Sequence, residues 1–303
     1  VDASRNRMIA YASGPRDPGQ HVFYDRGAKR LVDLGARHPE LRPERFGKGE
    51  ALKFRSRDGV EISACLTAPP GGRPGPLIVY PHGGPELRDY LDYDRRVQIL
   101  AAQGWWVLQP NFRGSGGFGA AFVAAGNRRW GDRMQEDVED ALAHVVGLGK
   151  VDPARVAIMG ISYGGYAALM GAVRKPDLYR ACVAIAGVSD LPAMLKSEKK
   201  DDEDSYAYWV KTIGDPKTDK AMLEAASPAR RAAEIRAPVM LIHGTSDRIV
   251  LPEQSRLMAA ALKSAGKAHE LIEVPSAGHA TWDDDKDREL MEKVIAFLAR
   301  ALA

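Results

Sequence analysis

Six short, almost continuously apolar segments alternate with helical patterns along the chain, and this alternation constrains the fold more than any other feature. Strands that are apolar on both faces are typical of parallel sheets that helices cover on both sides. The sequence therefore predicts an α/β fold with a mostly parallel central sheet. The six segments are Leu77–Tyr80, Trp105–Leu108, Arg155–Ile158, Cys182–Ile185, Val239–Ile242 and Leu271–Val274.

The residues before this alternation predict a smaller β unit. Residues 1–35 contain three short alternating segments separated by turn sequences, and three short strands must pack against another element to bury a core. Residues 36–50 are polar and rich in proline and glycine, and we interpret them as a linker. Residues 51–303 are predicted to form the main domain, which opens with an antiparallel hairpin and carries an insertion at about 190–235.

Charge and composition exclude several classes of protein. The chain has 303 residues and a formal net charge of +3, so we expect no nucleic-acid partner. No stretch approaches the roughly 20 apolar residues of a membrane span, and we expect a cytoplasmic protein without membrane contact. The two cysteines, Cys65 and Cys182, lie in apolar strands and are predicted to be buried free thiols. Neither a cysteine cluster nor a His-Glu-x-x-His motif occurs, so no metal and no cofactor are predicted.

A strand-to-helix junction carries the strongest candidate for chemistry. Gly160-Ile161-Ser162-Tyr163-Gly164 follows a predicted buried strand and opens a helix of small residues. A serine hydroxyl is a weak nucleophile, so it must stand exposed on a sharp turn beside a base. The flanking glycines allow that turn, although an ordinary glycine turn is the alternative. We interpret Ser162 as a nucleophile, with the backbone N–H of Tyr163 as a donor to a developing oxyanion.

The acid and the base of such a site should follow the serine in that order. Asp247 follows the apolar strand at 239–242, and His279 follows the strand at 271–274. Both lie beyond the carboxyl ends of predicted parallel strands, as Ser162 does, and open α/β sheets place their chemistry at that edge. We predict a triad in which Asp247 orients His279 and His279 accepts the proton of Ser162.

Two other histidines are weaker candidates for the base. His243 ends a predicted core strand four residues before the acid, and we expect it to brace that turn. His82 stands in Tyr80-Pro81-His82-Gly83-Gly84-Pro85, after the first parallel strand, and we interpret it as structural. The glycine pair lets bare backbone approach a substrate, so we predict Gly84 as the second oxyanion donor, with Gly83 as the alternative.

A glycine-rich run and a charged run complete the candidates. Gly114-Ser115-Gly116-Gly117-Phe118-Gly119 fits a dinucleotide-binding pattern, but polar residues at 126–129 interrupt the helix it would open, so we expect no cofactor there. The charged residues 198–204 are interpreted as a solvated loop of the insertion. Nearby Met194, Leu195 and Trp209 could line an apolar substrate pocket, with core packing as the alternative.

Together these motifs resemble those of the prolyl oligopeptidase-like serine peptidases, and among them the acylaminoacyl peptidases. The resemblance covers nearly the whole chain. It implies an α/β-hydrolase catalytic domain whose mouth a β-propeller covers, with Ser162, Asp247 and His279 as triad and with Tyr163 and Gly84 as oxyanion donors. The motifs that carry it are His82-Gly83-Gly84-Pro85, Asn111-Phe112-Arg113-Gly114-Ser115-Gly116, Gly160-Ile161-Ser162-Tyr163-Gly164-Gly165-Tyr166, His243-Gly244-Thr245-Ser246-Asp247 and Gly278-His279.

The chain departs from the family pattern in three places. The tyrosine pair that dipeptidyl peptidases carry after the sixth strand is not evident around Met194 and Glu198, which argues against a proline-specific dipeptidyl peptidase. Residues 1–35 resemble only the last blade of a propeller, so we expect that the propeller domain is missing from this chain. Ile249 stands where relatives often carry a polar residue that holds a peptide carbonyl. We place Ile249 and its neighbour Val250 at the substrate pocket.

These observations predict a serine peptidase that hydrolyses short or N-acylated peptides through an acyl-enzyme. A carboxylesterase that uses the same triad on small esters is the first alternative, because a site without its propeller would be open. A non-catalytic binding module on a hydrolase fold is the second. The expected partner is a short peptide or acyl-peptide substrate, and the sequence is compatible with an oligomer.

Overall fold

Two sheets organise the chain in the computed structural model, which describes residues 4–280 and 282–303. The first sheet contains three antiparallel strands in the order β1-β2-β3 within the described residues. Its register pairs Ile9 with Phe23 and Phe23 with Val32. The short β segment expected before the main domain is therefore present. Its strands are β1 (Arg7–Gly14), β2 (Asp17–Asp25) and β3 (Arg30–Ala36).

The second sheet is the central sheet of an α/β-hydrolase fold. In the described part of the chain its order is β11-β10-β9-β8-β6-β7-β5-β4. The hairpin β4–β5 is antiparallel, β5 pairs antiparallel with β7, and the other pairs are parallel. The predicted fold class is confirmed. The strands are β4 (Gly49–Arg55), β5 (Glu61–Thr67), β6 (Gly75–Val79), β7 (Trp106–Asn111), β8 (Val151–Ile161), β9 (Cys182–Ile185), β10 (Val239–Gly244) and β11 (His269–Val274).

Helices cover both faces of the central sheet. Along β6, Leu77 packs into the core on one face and Ile78 packs into the core on the other, which explains why this strand is apolar throughout. Helices α3, α4 and α8 cover the first face, and α1 and α9 cover the second. The helices are α1 (Arg95–Ala102), α2 (Ala120–Ala124), α3 (Arg133–Gly147), α4 (Tyr163–Arg174), α5 (Leu191–Asp201), α6 (Glu203–Thr212), α7 (Lys220–Ala225), α8 (Glu253–Ser264) and α9 (Asp284–Leu302).

The insertion between β9 and β10 is helical, and the prediction of a solvated loop at 198–204 was wrong. Helix α5 runs to Asp201 and α6 begins at Glu203, so the charged run is the junction of two helices. The Asp202 carboxylate accepts hydrogen bonds from the backbone N–H groups of Asp204 and Ser205 and so caps α6. Basic residues end α5 and acidic residues begin α6, which matches the dipoles of both helices. The run is therefore structured by helix capping.

The described helices include none with the length and apolar character to span a membrane. Both cysteines are buried and free, as predicted. Cys65 lies in β5 and Cys182 in β9.

Candidate active site

Ser162 lies at the turn between β8 and α4. Its φ angle is +59°, which is rare for a residue with a side chain. The turn is fixed on both sides, because the N–H of Ser162 donates to the carbonyl of Ile185 at 2.9 Å and the carbonyl of Ser162 accepts from the N–H of Tyr166 at 3.1 Å. Backbone strain of this kind is held in place by surrounding structure and concentrates at functional sites. The predicted sharp turn is present.

Two glycines allow the backbone around this turn to pack closely, because they have no Cβ. A Cβ on Gly160 would come within 2.2 Å of the Gly164 carbonyl oxygen, and a Cβ on Gly164 would come within 2.2 Å of the Pro81 carbonyl oxygen. Real Cβ atoms do not approach so closely, so the Gly-x-Ser-x-Gly pattern is required by close backbone contact. The second contact also brings the start of α4 against the segment that leads to Gly83 and Gly84.

Asp247 and His279 lie beyond the carboxyl ends of β10 and β11, at the edge where β8 leads to Ser162. His279 Nδ1 lies 2.7 Å from Asp247 Oδ2. Since a carboxylate accepts and Nδ1 donates, the other ring nitrogen of His279 is left as the acceptor. A neutral histidine in this tautomer is suited to take a proton from a hydroxyl.

The Asp247 carboxylate is buried and heavily hydrogen-bonded. Its Oδ1 accepts from the backbone N–H groups of Ile249 at 2.9 Å and Val250 at 3.0 Å. Although burial raises it, hydrogen bonds from His243 and His279 hold the pKa of Asp247 below its ordinary value. The group therefore stays ionised and can orient an imidazole.

His243 braces the turn that carries Asp247, as predicted. Its Nε2 lies 2.8 Å from the Val250 carbonyl oxygen and 3.2 Å from Asp247 Oδ2. Because both of these atoms only accept, Nε2 carries the hydrogen, and Nδ1 accepts from the Ser255 hydroxyl at 2.7 Å. The ring is fully buried, so it is not available as the base.

The predicted oxyanion donors lie on two neighbouring segments. Tyr163 is the first residue of α4, where backbone N–H groups lack partners inside the helix. Gly84 belongs to residues 82–87, which we call the oxyanion loop. A Cβ on Gly83 would lie 3.5 Å from Ser162 Cβ, so the loop runs directly beside the candidate nucleophile.

His82 fastens the oxyanion loop. Its Nε2 lies 2.7 Å from the Ser115 hydroxyl, and its ring stacks on Phe112 with centroids 4.3 Å apart. Burial lowers the pKa of His82 to about 4, so the ring is neutral at ordinary pH. The structural interpretation of His82 agrees with these contacts.

The glycine-rich run at 114–119 packs against the oxyanion loop. The N–H of Gly116 donates to the Leu87 carbonyl at 3.0 Å. A Cβ on Gly116 would come within 2.4 Å of the Glu86 carbonyl oxygen. These glycines thus allow close contact between two backbones, and the helix that follows them, α2, has only five residues. In the described residues no group of three or more His, Cys, Asp and Glu side chains is placed to hold a metal ion.

Three of the five predicted pocket residues line one cavity. Met194 on α5, Ile249 and Val250 surround a space of about 210 Å³ between α5 and the segment after Asp247. Leu195, the next residue on α5, is fully buried in the core, so its assignment to the pocket was wrong. On a helix, adjacent residues face different directions.

Trp209 does not line this cavity either. Its ring lies 5.9 Å from that of Trp130, which in turn contacts Tyr163 with centroids 4.5 Å apart. Trp209 therefore belongs to an aromatic cluster beside the start of α4. The assignment of Trp209 to a substrate pocket stays a prediction.

One contact beside the site was not foreseen from the sequence. The Tyr208 hydroxyl, on α6, donates to Glu86 Oε1 at 2.6 Å across 122 positions of sequence. No local sequence pattern links two residues so far apart. Only correlated substitutions at the two positions among related sequences would have identified the contact.

Comparison with known proteins points to one family. The sequence model of the protein family described as "Prolyl oligopeptidase family" matches residues 91–303. A dipeptidyl aminopeptidase BIII from Pseudoxanthomonas mexicana is 33% identical over 97% of this chain and 44% of its own length. The acylamino-acid-releasing enzyme of Rattus norvegicus is 28% identical over 82% of this chain and 34% of its own length. The chain thus spans less than half the length of these curated relatives.

Solved structures give the same result at the level of the fold. A puromycin-hydrolyzing peptidase from Mycobacterium tuberculosis superposes with a TM-score of 0.89 at 26% identity, over 98% of this chain and 46% of that one. An acylaminoacyl peptidase from Pyrococcus horikoshii superposes with a TM-score of 0.85 at 22% identity, over 100% of this chain and 49% of its own. The second likeness concerns the fold alone.

Proposed function

Since the chain belongs to the prolyl oligopeptidase family, a family of serine hydrolases, we propose that it is a serine peptidase that hydrolyses short or N-acylated peptides. The curated relatives are named as a dipeptidyl aminopeptidase and as acylamino-acid-releasing enzymes, and both names support peptide substrates. The single observation that carries the proposal is the 2.7 Å contact of His279 with Asp247 at the sheet edge where Ser162 lies.

In the proposed reaction, the Ser162 hydroxyl attacks the carbonyl carbon of the scissile bond. His279 takes the serine proton and then delivers it to the leaving amine, while Asp247 stabilises the imidazolium. The N–H groups of Tyr163 and Gly84 stabilise the tetrahedral oxyanion. The acyl-enzyme is then hydrolysed by a water that His279 deprotonates, which regenerates Ser162.

The cavity beside α5 is proposed as a subsite for an apolar side chain of the substrate. Met194 and Val250 supply its apolar lining, and Ile249 stands 67% exposed at its edge. Charged side chains also line this cavity, among them Arg248 and Lys196. The proposed subsite therefore combines apolar contacts with charged groups.

The domain organisation is also a proposal. We propose that residues 51–303 form the catalytic domain and that the antiparallel sheet β1–β3 belongs to a propeller blade, joined to the catalytic domain by residues 36–50. The coverage of less than half of each relative supports a further domain in the whole protein. A propeller over the mouth would restrict substrates to short peptides.

A carboxylesterase is the second candidate function. The exposure of Ile249 and of Leu251, at 67% and 38%, supports a mouth open enough for small esters. The test compares N-acetyl-alanyl and N-acetyl-leucyl p-nitroanilides with p-nitrophenyl esters. We expect turnover of the anilides that Ser162→Ala abolishes. Anilide turnover no higher than that of Ser162→Ala, together with ester turnover, would leave the esterase as the function.

Labelling by a fluorophosphonate separates both enzymes from a binding module. The expected result is one adduct per chain in the wild type and none in Ser162→Ala, read by intact mass. A wild type that stays unlabelled would contradict any catalytic proposal for Ser162.

A further inference from the structure

The hydrogen bond between Tyr208 and Glu86 joins the inserted helix α6 to the oxyanion loop. Tyr208 Oη donates to Glu86 Oε1 at 2.6 Å. Burial, together with the neighbouring Glu86 carboxylate, raises the pKa of Tyr208 to about 12, so the hydroxyl keeps its proton at neutral pH. Glu86 is therefore oriented by a permanent donor from a different part of the chain.

Two series of contacts start on either side of Ser162, and the hydrogen bond between Tyr208 and Glu86 joins their ends. On one side, Ser162 lies against Gly83, three residues before Glu86. On the other, Tyr163 contacts an aromatic series that leads to Tyr208. The steps of that series are Tyr163 to Trp130 at 4.5 Å, Trp130 to Trp209 at 5.9 Å and Trp209 to Tyr208 at 4.9 Å between ring centroids. Glu86 is thus connected, through Gly83 on one side and Tyr208 on the other, to both segments that flank Ser162.

The Glu86 carboxylate has acceptor capacity left for a ligand. It is exposed, and a carboxylate offers about four lone-pair sites, of which Tyr208 uses one. Across residues 4–280 and 282–303, no salt bridge within 4.0 Å reaches Glu86. The nearest cation along the chain, Arg88, instead lies over the rings of Tyr90 and Phe118, at 4.4 and 4.2 Å from their centroids.

We propose that Glu86 binds an ammonium group of the peptide substrate and that Tyr208 positions its carboxylate for this contact. The inference rests on the proposed peptidase function and names its substrate class, short peptides that carry an ammonium near the scissile bond. The α-amine of a peptide and the side chain of a lysine share this chemistry. Because the Tyr208 hydroxyl is neutral, its hydrogen bond brings no positive charge that would compete with such a partner, and a hydrogen bond between an ammonium and a carboxylate is stronger than one between neutral groups.

The test uses three p-nitroanilides that share one leaving group and one apolar residue before it. Ala-Phe-anilide offers an α-ammonium, N-acetyl-Lys-Phe-anilide offers a side-chain ammonium, and N-acetyl-Ala-Phe-anilide offers none. The quantity measured is the ratio of kcat/KM for each cationic substrate to that for the uncharged one. Glu86→Gln should lower this ratio roughly five- to tenfold for the α-amine or for the lysine, which identifies the source. An unchanged ratio for both would overturn the proposal.

Glu61→Gln is the matched control. Glu61 is an exposed glutamate on β5, 3.3 Å from Lys53, and its substitution should leave the ratio unaltered. The preference of the wild type should also weaken as salt is raised from about 0.05 to 0.5 M, because exposed charges are screened. A preference that is insensitive both to salt and to Glu86→Gln would contradict a role for this carboxylate.

Tyr208→Phe tests the positioning role, because it keeps the carboxylate and removes the donor. The ratio should fall by less than in Glu86→Gln, and the double variant should behave like Glu86→Gln alone. Additive effects of the two substitutions on the ratio would show that Tyr208 acts separately and would contradict the positioning role.

Binding to Ser162→Ala separates this inference from the proposed function. Titration calorimetry would compare the tripeptides Ala-Phe-Ala and N-acetyl-Ala-Phe-Ala, and also N-acetyl-Lys-Phe-Ala. Tighter binding of a cationic peptide that is lost in Ser162→Ala/Glu86→Gln supports the inference even where no anilide is hydrolysed. Equal binding of all three would overturn the inference while leaving anilide turnover, and thus the peptidase proposal, intact.

Discussion

The Nδ1 atom of His82 lies 2.7 Å from the carbonyl oxygen of Gly83, the next residue in the chain. The carbonyl only accepts, so Nδ1 donates to it. The bond between Gly83 and Gly84 is trans, and in a trans peptide the C=O and N–H point to opposite sides. The N–H of Gly84 therefore points away from His82, which supports Gly84 as the oxyanion donor.

Replacement of His82 should slow turnover without removing the triad. We expect His82→Ala to lower kcat for an N-acetyl dipeptide anilide by roughly 10²- to 10³-fold, because one oxyanion donor loses its fixed orientation. Ser115→Ala removes the hydroxyl beside Nε2 together with its hydrogen bond to the Phe112 carbonyl, but it keeps the contact of Nδ1 with Gly83. It is the comparison and should lower kcat less. Steady-state kinetics of both variants would measure this, and a His82→Ala enzyme within about threefold of wild type would count against the role of the loop.

Substitutions in the predicted triad should have similar effects on activity but different effects on the stability of the fold. His279→Ala and Asp247→Asn should each lower kcat/KM by on the order of 10⁴-fold. Only Asp247→Asn should also destabilise the protein, by about 1–3 kcal/mol, because the amide NH2 that replaces Oδ2 would face the hydrogen on His243 Nε2. Urea unfolding of the two variants measures the difference, and equal losses of stability would contradict this distinction.

Asp247 also predicts a dependence of stability on pH. Its pKa is held below the ordinary value of 3.8 in the folded protein. The stabilisation is therefore present at pH values above the unfolded pKa and is lost as pH falls below about 4. Asp247→Asn should flatten the unfolding free energy between pH 4 and pH 2.5 relative to the wild type.

The serine turn should not tolerate a methyl group at Gly164. Gly164→Ala places a Cβ 2.2 Å from the Pro81 carbonyl oxygen. We therefore expect the free energy of unfolding to fall by about 3 kcal/mol or more, or the protein to be insoluble. Gly147→Ala is the matched control, because a Cβ at this last residue of α3 meets nothing within 4 Å. That control should be neutral or slightly stabilising. A soluble Gly164→Ala protein with wild-type stability would disprove the contact.

Asp89, just after the oxyanion loop, is a buried carboxyl with an incomplete set of partners. Its Oδ1 accepts from Gln109 Nε2 at 2.9 Å, while Oδ2 is buried with no hydrogen-bond partner among the described atoms. Burial, with a smaller contribution from the nearby Asp94 carboxylate, raises the pKa of Asp89 to about 7. The folded protein thus favours the protonated form.

This raised pKa should destabilise the protein as pH rises from about 4 to 7, because the unfolded chain releases the proton earlier than the folded one. The side chain of Asp89→Asn cannot ionise. The free energy of unfolding of this variant should therefore exceed that of the wild type by on the order of 1–2 kcal/mol at pH 8, and by much less at pH 4.5. Thermal unfolding at both pH values measures this. Asp177→Asn, at an exposed surface position, should show no such dependence, and a gain equal at both pH values would refute the assignment.

Much of the fold could be predicted from local sequence. Apolar strands such as the one around Leu77–Tyr80 are buried on both faces, and this requirement alone predicts a parallel sheet between two layers of helices. The run 198–204 was misread because its charges resemble those of a loop, whereas capping by Asp202 makes it the junction of α5 and α6. Helix ends depend on a few hydrogen bonds, which charge patterns describe poorly.

The sequence by itself determined the positions of Ser162, Asp247 and His279 relative to the strands, because the carboxyl ends of parallel strands share one edge. The tertiary structure decided what surrounds them. The direction of the Gly84 N–H, the burial of Leu195 in the core and the contact between Tyr208 and Glu86 all depend on how distant segments pack. Local patterns specify which elements form, whereas contacts across more than 100 positions arise only when those elements are assembled in three dimensions.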